Sequence, residues 1–105
     1  DVIHVSVEVM PEFIGGTAAL MKYLSSNIKY PTISQETGSQ GKVIVQFVVD
    51  KDGTISNPEV VRGVDPYLDK EAIRVISSMP KWTPGVQNGK KVRVKFTVPV
   101  SFRLQ

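Results

Sequence analysis

Residues 91–105 read K-V-R-V-K-F-T-V-P-V-S-F-R-L-Q, and the period of this stretch decides the fold. Val92, Val94, Phe96, Val98, Val100, Phe102 and Leu104 occupy every even position, while Arg93, Lys95, Thr97, Pro99, Ser101 and Arg103 occupy the odd ones. Strict alternation over this length means an extended strand with one face buried and one face wet. Burying those apolar side chains stabilises the fold by roughly 10–20 kcal/mol before entropy is subtracted. Pro99 carries no N–H, so the strand belongs at a sheet edge or at a bulge. A long edge strand is a hazard unless something is meant to pair with it. The sequence therefore points to a protein whose work is pairing.

Working outward, Asn88-Gly89 turns the chain into this last strand, after a stiff connection from Pro80 through Trp82 to Pro84-Gly85. Before it, Asp65-Pro66 opens a helix whose buried stripe is Leu68, Ala72, Val75, Ile76 and Met79, ending at Pro80. Further upstream, residues 42–50 alternate through Val43, Val45, Phe47 and Val49. Asp50-Lys51-Asp52-Gly53 reads as a hairpin turn, and residues 54–62 as a return strand with a bulge or edge position at Asn57-Pro58. An earlier helix runs from a Thr17 N-cap to about Asn27, with Leu20, Met21, Leu24 and Ile28 toward the core, and stops at Tyr30-Pro31. A short helical turn fits residues 33–36. Residues 1–10 alternate again, placing Ile3, Val5, Val7 and Val9 on one face of a short strand or arm.

These elements predict an α+β, two-layer domain. It has a three-stranded antiparallel sheet in the order return, first, last (2-1-3), two helices on one face, and an N-terminal extended arm or strand. In that order both Pro58 and Pro99 fall on edges. The 105 residues suit one small core, divided as an arm over 1–16 and a domain over 17–105. A chain starting at Asp1 is expected to be a processed product or an excised fragment.

The composition is that of a globular protein, and the net charge of +3 favours acidic partners only weakly. With no cysteine, disulfides, cysteine-type zinc sites and thiol catalysis are excluded. His4 is the only histidine and reads as solvated surface. The Asp50–Gly53 turn is not a calcium loop, because Val48 would occupy the first ligand position. No phosphate loop, zinc-helix motif or nucleophile elbow occurs. Neither an enzyme nor a cofactor is expected. Nucleic acid is not expected either, since Phe47, Phe96 and Phe102 lie on the buried parity and the open face offers no rings for base stacking. Trp82 reads as a lid on the core.

Taken together, Tyr30-Pro31, Gly41-Lys42-Val43, residues 47–50, Asp52-Gly53-Thr54-Ile55, residues 68–72, Pro80-Lys81-Trp82, Pro84-Gly85, Asn88-Gly89-Lys90 and the strand from Phe96 to Phe102 resemble the TonB C-terminal domain family. The resemblance spans about residues 27–104. It implies a periplasmic domain of a protein anchored in the inner membrane and driven by an ExbB/ExbD-type motor. Such a domain grips the TonB box of outer-membrane transporters by strand addition to the last strand, and pulls. Carried over by position, the contacts ahead of the edge fall on Asn27, Lys29, Tyr30 and Pro31. On the last strand Arg93 and Lys95, with Arg103, would attract an acidic box, Pro99 would limit how far the ladder runs, and Thr97 and Ser101 complete the expected partner-binding set. The family often has glutamine where this chain has Asn27. Read from the residues alone, Tyr30-Pro31 is equally well a helix terminator with a packed ring. The alternative function is a dimerisation or sensor module of the same fold, for example fused to a membrane peptidase. There the free edge pairs with a second copy or with the arm.

Overall fold

The alternating stretch forms β5 (Lys90–Phe102), the longest element in a computed structural model that describes residues 2–104. Asp1 and Gln105 lie outside the described residues. β5 pairs antiparallel with β2 (Gly41–Val49), from Gly41 opposite Phe102 to Val49 opposite Val94. β2 pairs antiparallel on its other side with β3 (Ile55–Arg62). The three long strands thus stand in the expected order with proline-free β2 in the middle. Their alternation is what builds the core: Val94, Val98, Val100 and Phe102 are buried beside Val43, Val45, Phe47 and Val49. The bulge expected at Asn57-Pro58 is present as well. Asn57 takes a φ of 49°, and the β2–β3 register shifts there, between Gln46 and Val48.

A purely antiparallel sheet of three strands is nevertheless too small a description. The sheet is mixed and five-stranded, in the order β1-β5-β2-β3 with β4 also paired to β5. β1 (Ile3–His4) runs parallel to β5, Ile3 opposite Arg93 and His4 opposite Val94. β4 (Gly85–Gln87) folds back antiparallel on the first three residues of β5, before the β2 ladder begins. The cause is local. Asn88 and Gly89 adopt φ values of 52° and 74°, the backbone of a two-residue hairpin turn whose twist matches that of its strands. Strands of two and three residues carry no period, so alternation could not reveal them.

The arm also departs from expectation. Its alternation buries no face, since Val5 and Val9 are 71% and 54% exposed. Backbone bonds hold it instead. Val9 and Val86 exchange N–H···O bonds of 3.1 and 2.9 Å, and Glu12 and Thr83 exchange bonds of 3.0 and 2.8 Å. Phe13 then enters the core.

Three helices follow the chain. α1 (Gly16–Asn27) starts at a Gly15 cap rather than at Thr17, with no side-chain cap bond. Gly15 and Gly16 both sit at positive φ, 94° and 86°, where a Cβ is costly, so the glycine pair sets the turn and the cap lies ahead of the expected Thr17. Leu20 and Leu24 face the core, whereas Met21 stays 40% exposed. α2 (Thr32–Thr37) is the short helix expected near residues 33–36. α3 (Pro66–Ser77) is capped by Asp65, whose carboxylate accepts from the Leu68 N–H at 2.7 Å, and it buries the expected stripe. α1 and α3 share the buried face of the sheet.

Trp82 closes this layer. It is 3% exposed and meets Phe13, Phe47 and Phe96 edge-on or nearly so, at 5.8, 5.4 and 5.1 Å between ring centres. The Trp82 backbone N–H donates to the Gly53 carbonyl at 2.9 Å, and a Cβ on Gly53 would stand 2.0 Å from the Trp82 carbonyl oxygen. Gly53 also has a φ of 89°. Gly53→Ala is therefore expected to cost about 3 kcal/mol or more. Denaturant unfolding monitored by Trp82 fluorescence measures it, and a loss under about 1 kcal/mol would refute the close approach.

Candidate strand-docking edge

β5 has two sides, and β2 occupies one of them. On the other side β1 covers Arg93 and Val94; among the described residues no strand pairs with the outer side of 95–102. Pro99 stands opposite Ile44, and a residue without an N–H fits a pair whose backbone groups face away from β2. By alternation Lys95, Thr97 and Ser101 also turn their N–H and C=O groups outward. All four residues are exposed. The expected edge residues thus form one continuous unpaired row.

Arg93 stands apart from that row. It lies at the end covered by β1, and its Nε donates to Asp50 Oδ1 at 3.0 Å. The sequence placed it among the contacts because parity alone could not show a neighbouring strand there.

Residues 27–31 lie at the opposite end. The Tyr30 ring meets Phe102 edge-on, 5.7 Å between centres and 89° between planes, and its hydroxyl donates to the Ser39 carbonyl. Burial, reinforced by the Asp65 carboxylate, pushes the Tyr30 phenol above its ordinary pKa. Tyr30 is thus a packed ring at the head of the free edge, and Pro31 caps α2. Asn27 and Lys29 are held elsewhere. The Asn27 amide donates to the Tyr23 carbonyl at 2.8 Å, and its own carbonyl accepts from Arg74 Nη2 at 2.8 Å. The Lys29 N–H donates to Glu71 Oε2 at 2.7 Å.

Glu71 organises this clamp. It is 9% exposed and takes two bonds of 2.7 Å from Arg74 as well as the bond from Lys29. Burial opposes its charge, but the Arg74 and Lys29 hydrogen bonds and their cations outweigh burial and hold the carboxyl below its ordinary pKa. No sequence signal marks this role, because a glutamate near the start of a helix reads as solvated charge.

A second feature also escaped the sequence. A pocket of about 220 Å³ lies beside the free edge, walled by Phe13 of the arm, Leu20 and Met21 of α1, Trp82, and Thr97 and Pro99 of β5. Its walls come from four separate segments, so no local pattern marks it. Among the described residues no group of three or more His, Asp or Glu side chains could hold a metal.

The family model for the C-terminal part of the Gram-negative bacterial TonB protein matches residues 26–104. The chain belongs to the TonB C-terminal family. Among TonB relatives, Protein TonB of Haemophilus influenzae is 33% identical over 85 residues, covering 77% of this chain and 32% of that protein. Protein TonB of Helicobacter pylori is 26% identical over 83 residues, covering 78% and 28%. The chain thus spans about a third of the length of these relatives. A solution structure of the Helicobacter pylori TonB C-terminal domain shares the fold with a TM-score of 0.63 at 24% identity, covering 82% of this chain and 90% of that one. A longer form of the same domain gives 0.55 at 23%, covering 82% and 79%. The TonB family match begins near the end of α1, so the arm and most of α1 precede it.

Because the folded Glu71 carboxyl titrates below its unfolded value, its contribution is complete above about pH 4.5 and fades as pH falls through the folded pKa. Glu71→Gln should lose about 1–2 kcal/mol at pH 7 and converge on the parent protein once the pH has fallen through the folded pKa of Glu71. Thermal melts across that range check it; parallel curves for the two proteins would contradict the clamp.

Proposed function

We propose that this domain is the periplasmic gripping end of a TonB-type energy transducer. It binds the TonB box of outer-membrane transporters as an added strand on β5 and passes on a pull derived from an ExbB/ExbD-type motor. The parent protein would be anchored in the inner membrane by sequence outside this chain; among the described residues no helix is long and apolar enough to cross a membrane. The observation that carries this reading is the unpaired outer side of 95–102 in a chain of this family.

The physics of the edge suits such work. Strand addition draws affinity from main-chain hydrogen bonds and so tolerates varied partner sequences. A guest loaded along its own axis shares the force among all its ladder bonds. The ladder is also bounded: β1 ends it at Val94, and the missing Pro99 N–H interrupts it near the other end. A short ladder can be gripped and released. Lys95 and Arg103, both exposed, favour an acidic guest. Tyr30 and Pro31 act by fixing the head of the edge through Phe102, and Asn27 and Lys29 by tying that segment to α3. Pairing of two copies through this edge would compete with the guest, as would a dimerisation or sensor role.

A TonB-box peptide is expected to shift the amide resonances of residues 95–101 and those near Tyr30. Shifts confined to α3 would count against the proposal. Thr97→Pro removes one outward N–H while leaving the β2 side of β5 intact. It should weaken the peptide by about tenfold, close to the value of one ladder bond in a water-excluded setting. Isothermal titration compares the two proteins; equal affinities would argue against strand addition.

A further inference from the structure

We infer that the pocket beside β5 is a socket for one large apolar side chain of the added segment, an inference that rests on the strand-addition reading above. Position is the first ground. The β5 wall of the pocket is residues 96–99, within the stretch whose outer side is unpaired. Geometry is the second. Side chains of an added strand alternate between faces, so a guest residue opposite Val98 projects to the same face as Val98, toward Phe13 and Leu20. Its two neighbours then project to the other face, the side of Lys95 and Thr97.

Size and chemistry narrow the occupant. About 220 Å³ is smaller than the roughly 300–1,000 Å³ of small-molecule sites, and it suits a single side chain. The walls are apolar apart from Glu12, Thr17 and Thr97, and the half-exposed, flexible Met21 can close over what enters. The Glu12 carboxylate repels an acidic residue from the socket itself, while Lys95 on the opposite face attracts one at either flank. The segment recognised is therefore extended, with an aliphatic residue between acidic neighbours. Phe13, Leu20 and Met21 all precede residue 26, where the family match begins. The socket thus adds side-chain selection, supplied by this chain's own N-terminal segment, to a ladder that reads only backbone.

The test uses the intact domain and nine-residue acetylated peptides of Thr and Glu carrying one central Leu, Ala or Asp. Trp82 is the only tryptophan and a wall of the socket, so its emission reports occupancy. The Leu peptide should bind about tenfold more tightly than the Ala peptide, with the Asp peptide weaker still, and the Leu peptide alone should change Trp82 emission. Thr17→Phe, at an exposed position on the rim, should fill the socket and bring the Leu peptide to the Ala affinity without lowering Tm. Equal binding by all three peptides, with amide shifts at 95–101, would overturn the socket and leave strand addition standing. If no peptide shifts those amides, strand addition fails and the socket with it. Emission that changes with protein concentration but not with peptide would assign the socket to a second copy and overturn the inference.

Discussion

One aromatic contact set holds the parts of this fold in place: Trp82 against Phe13, Phe47 and Phe96. The four rings come from the arm, β2, the connector and β5, and so bring four separate segments together. Burying a side chain as large as Trp contributes more than any single aliphatic residue of the core, and edge-on contacts add to it. The main chain at this residue ties in further segments: the Trp82 backbone N–H donates to the Gly53 carbonyl, and the next residue exchanges bonds with Glu12. Remove Trp82, and the arm, the β2–β3 turn and β4 lose their shared anchor together.

That anchor explains why one border of the sheet stays open. The arm could in principle run the whole length of β5, since its valines alternate as a strand should. It pairs for only two residues, then bends away to reach Val86 and Thr83, where four backbone bonds and Phe13 hold it. Those attachments outweigh further pairing along β5 because the arm cannot satisfy both. The vacant stretch is thus a consequence of where the aromatic rings must meet. It is not a strand left unfinished.

The legibility of the sequence follows the same division. Long-period features were readable: the alternation of β5 and β2, the α3 stripe behind its Asp65-Pro66 cap, the bulge at Asn57, and the turns at Gly53 and Asn88-Gly89. Each is dictated by neighbours in the chain. What the sequence hid depends on partners far away. Strands β1 and β4 are too short for a period, and Arg93 looked available until β1 stood beside it. Thr17 fits the N-cap preference, yet Gly15 and Gly16 fix the turn first. The Glu71 clamp joins residues 42 apart in sequence, and the pocket gathers four segments, so neither leaves a local mark. The family resemblance pointed to the last strand and Tyr30; the arm, where residues 7–13 resemble only a subgroup of the family, lies before the matched region.

An open edge is dangerous in proportion to its length, flatness and hydrophobicity. β5 limits all three. β1 shortens the open row, Pro99 deprives it of one donor, and the exposed parity carries Lys95 and Arg103 rather than apolar groups. β3, the opposite edge, is bulged at Asn57 and carries a proline, Pro58, that offers no N–H. Two copies meeting edge to edge through β5 would bring their cations together and face a gap at each proline. An acidic guest meets neither obstacle in full: it neutralises the cations, and it can place its own proline-tolerant position opposite Pro99. In the proposed reading, the features that oppose pairing of two copies would therefore favour a foreign segment. Under the proposed strand addition, selection at this edge would be carried as much by what the proline and cations reject as by what the ladder attracts.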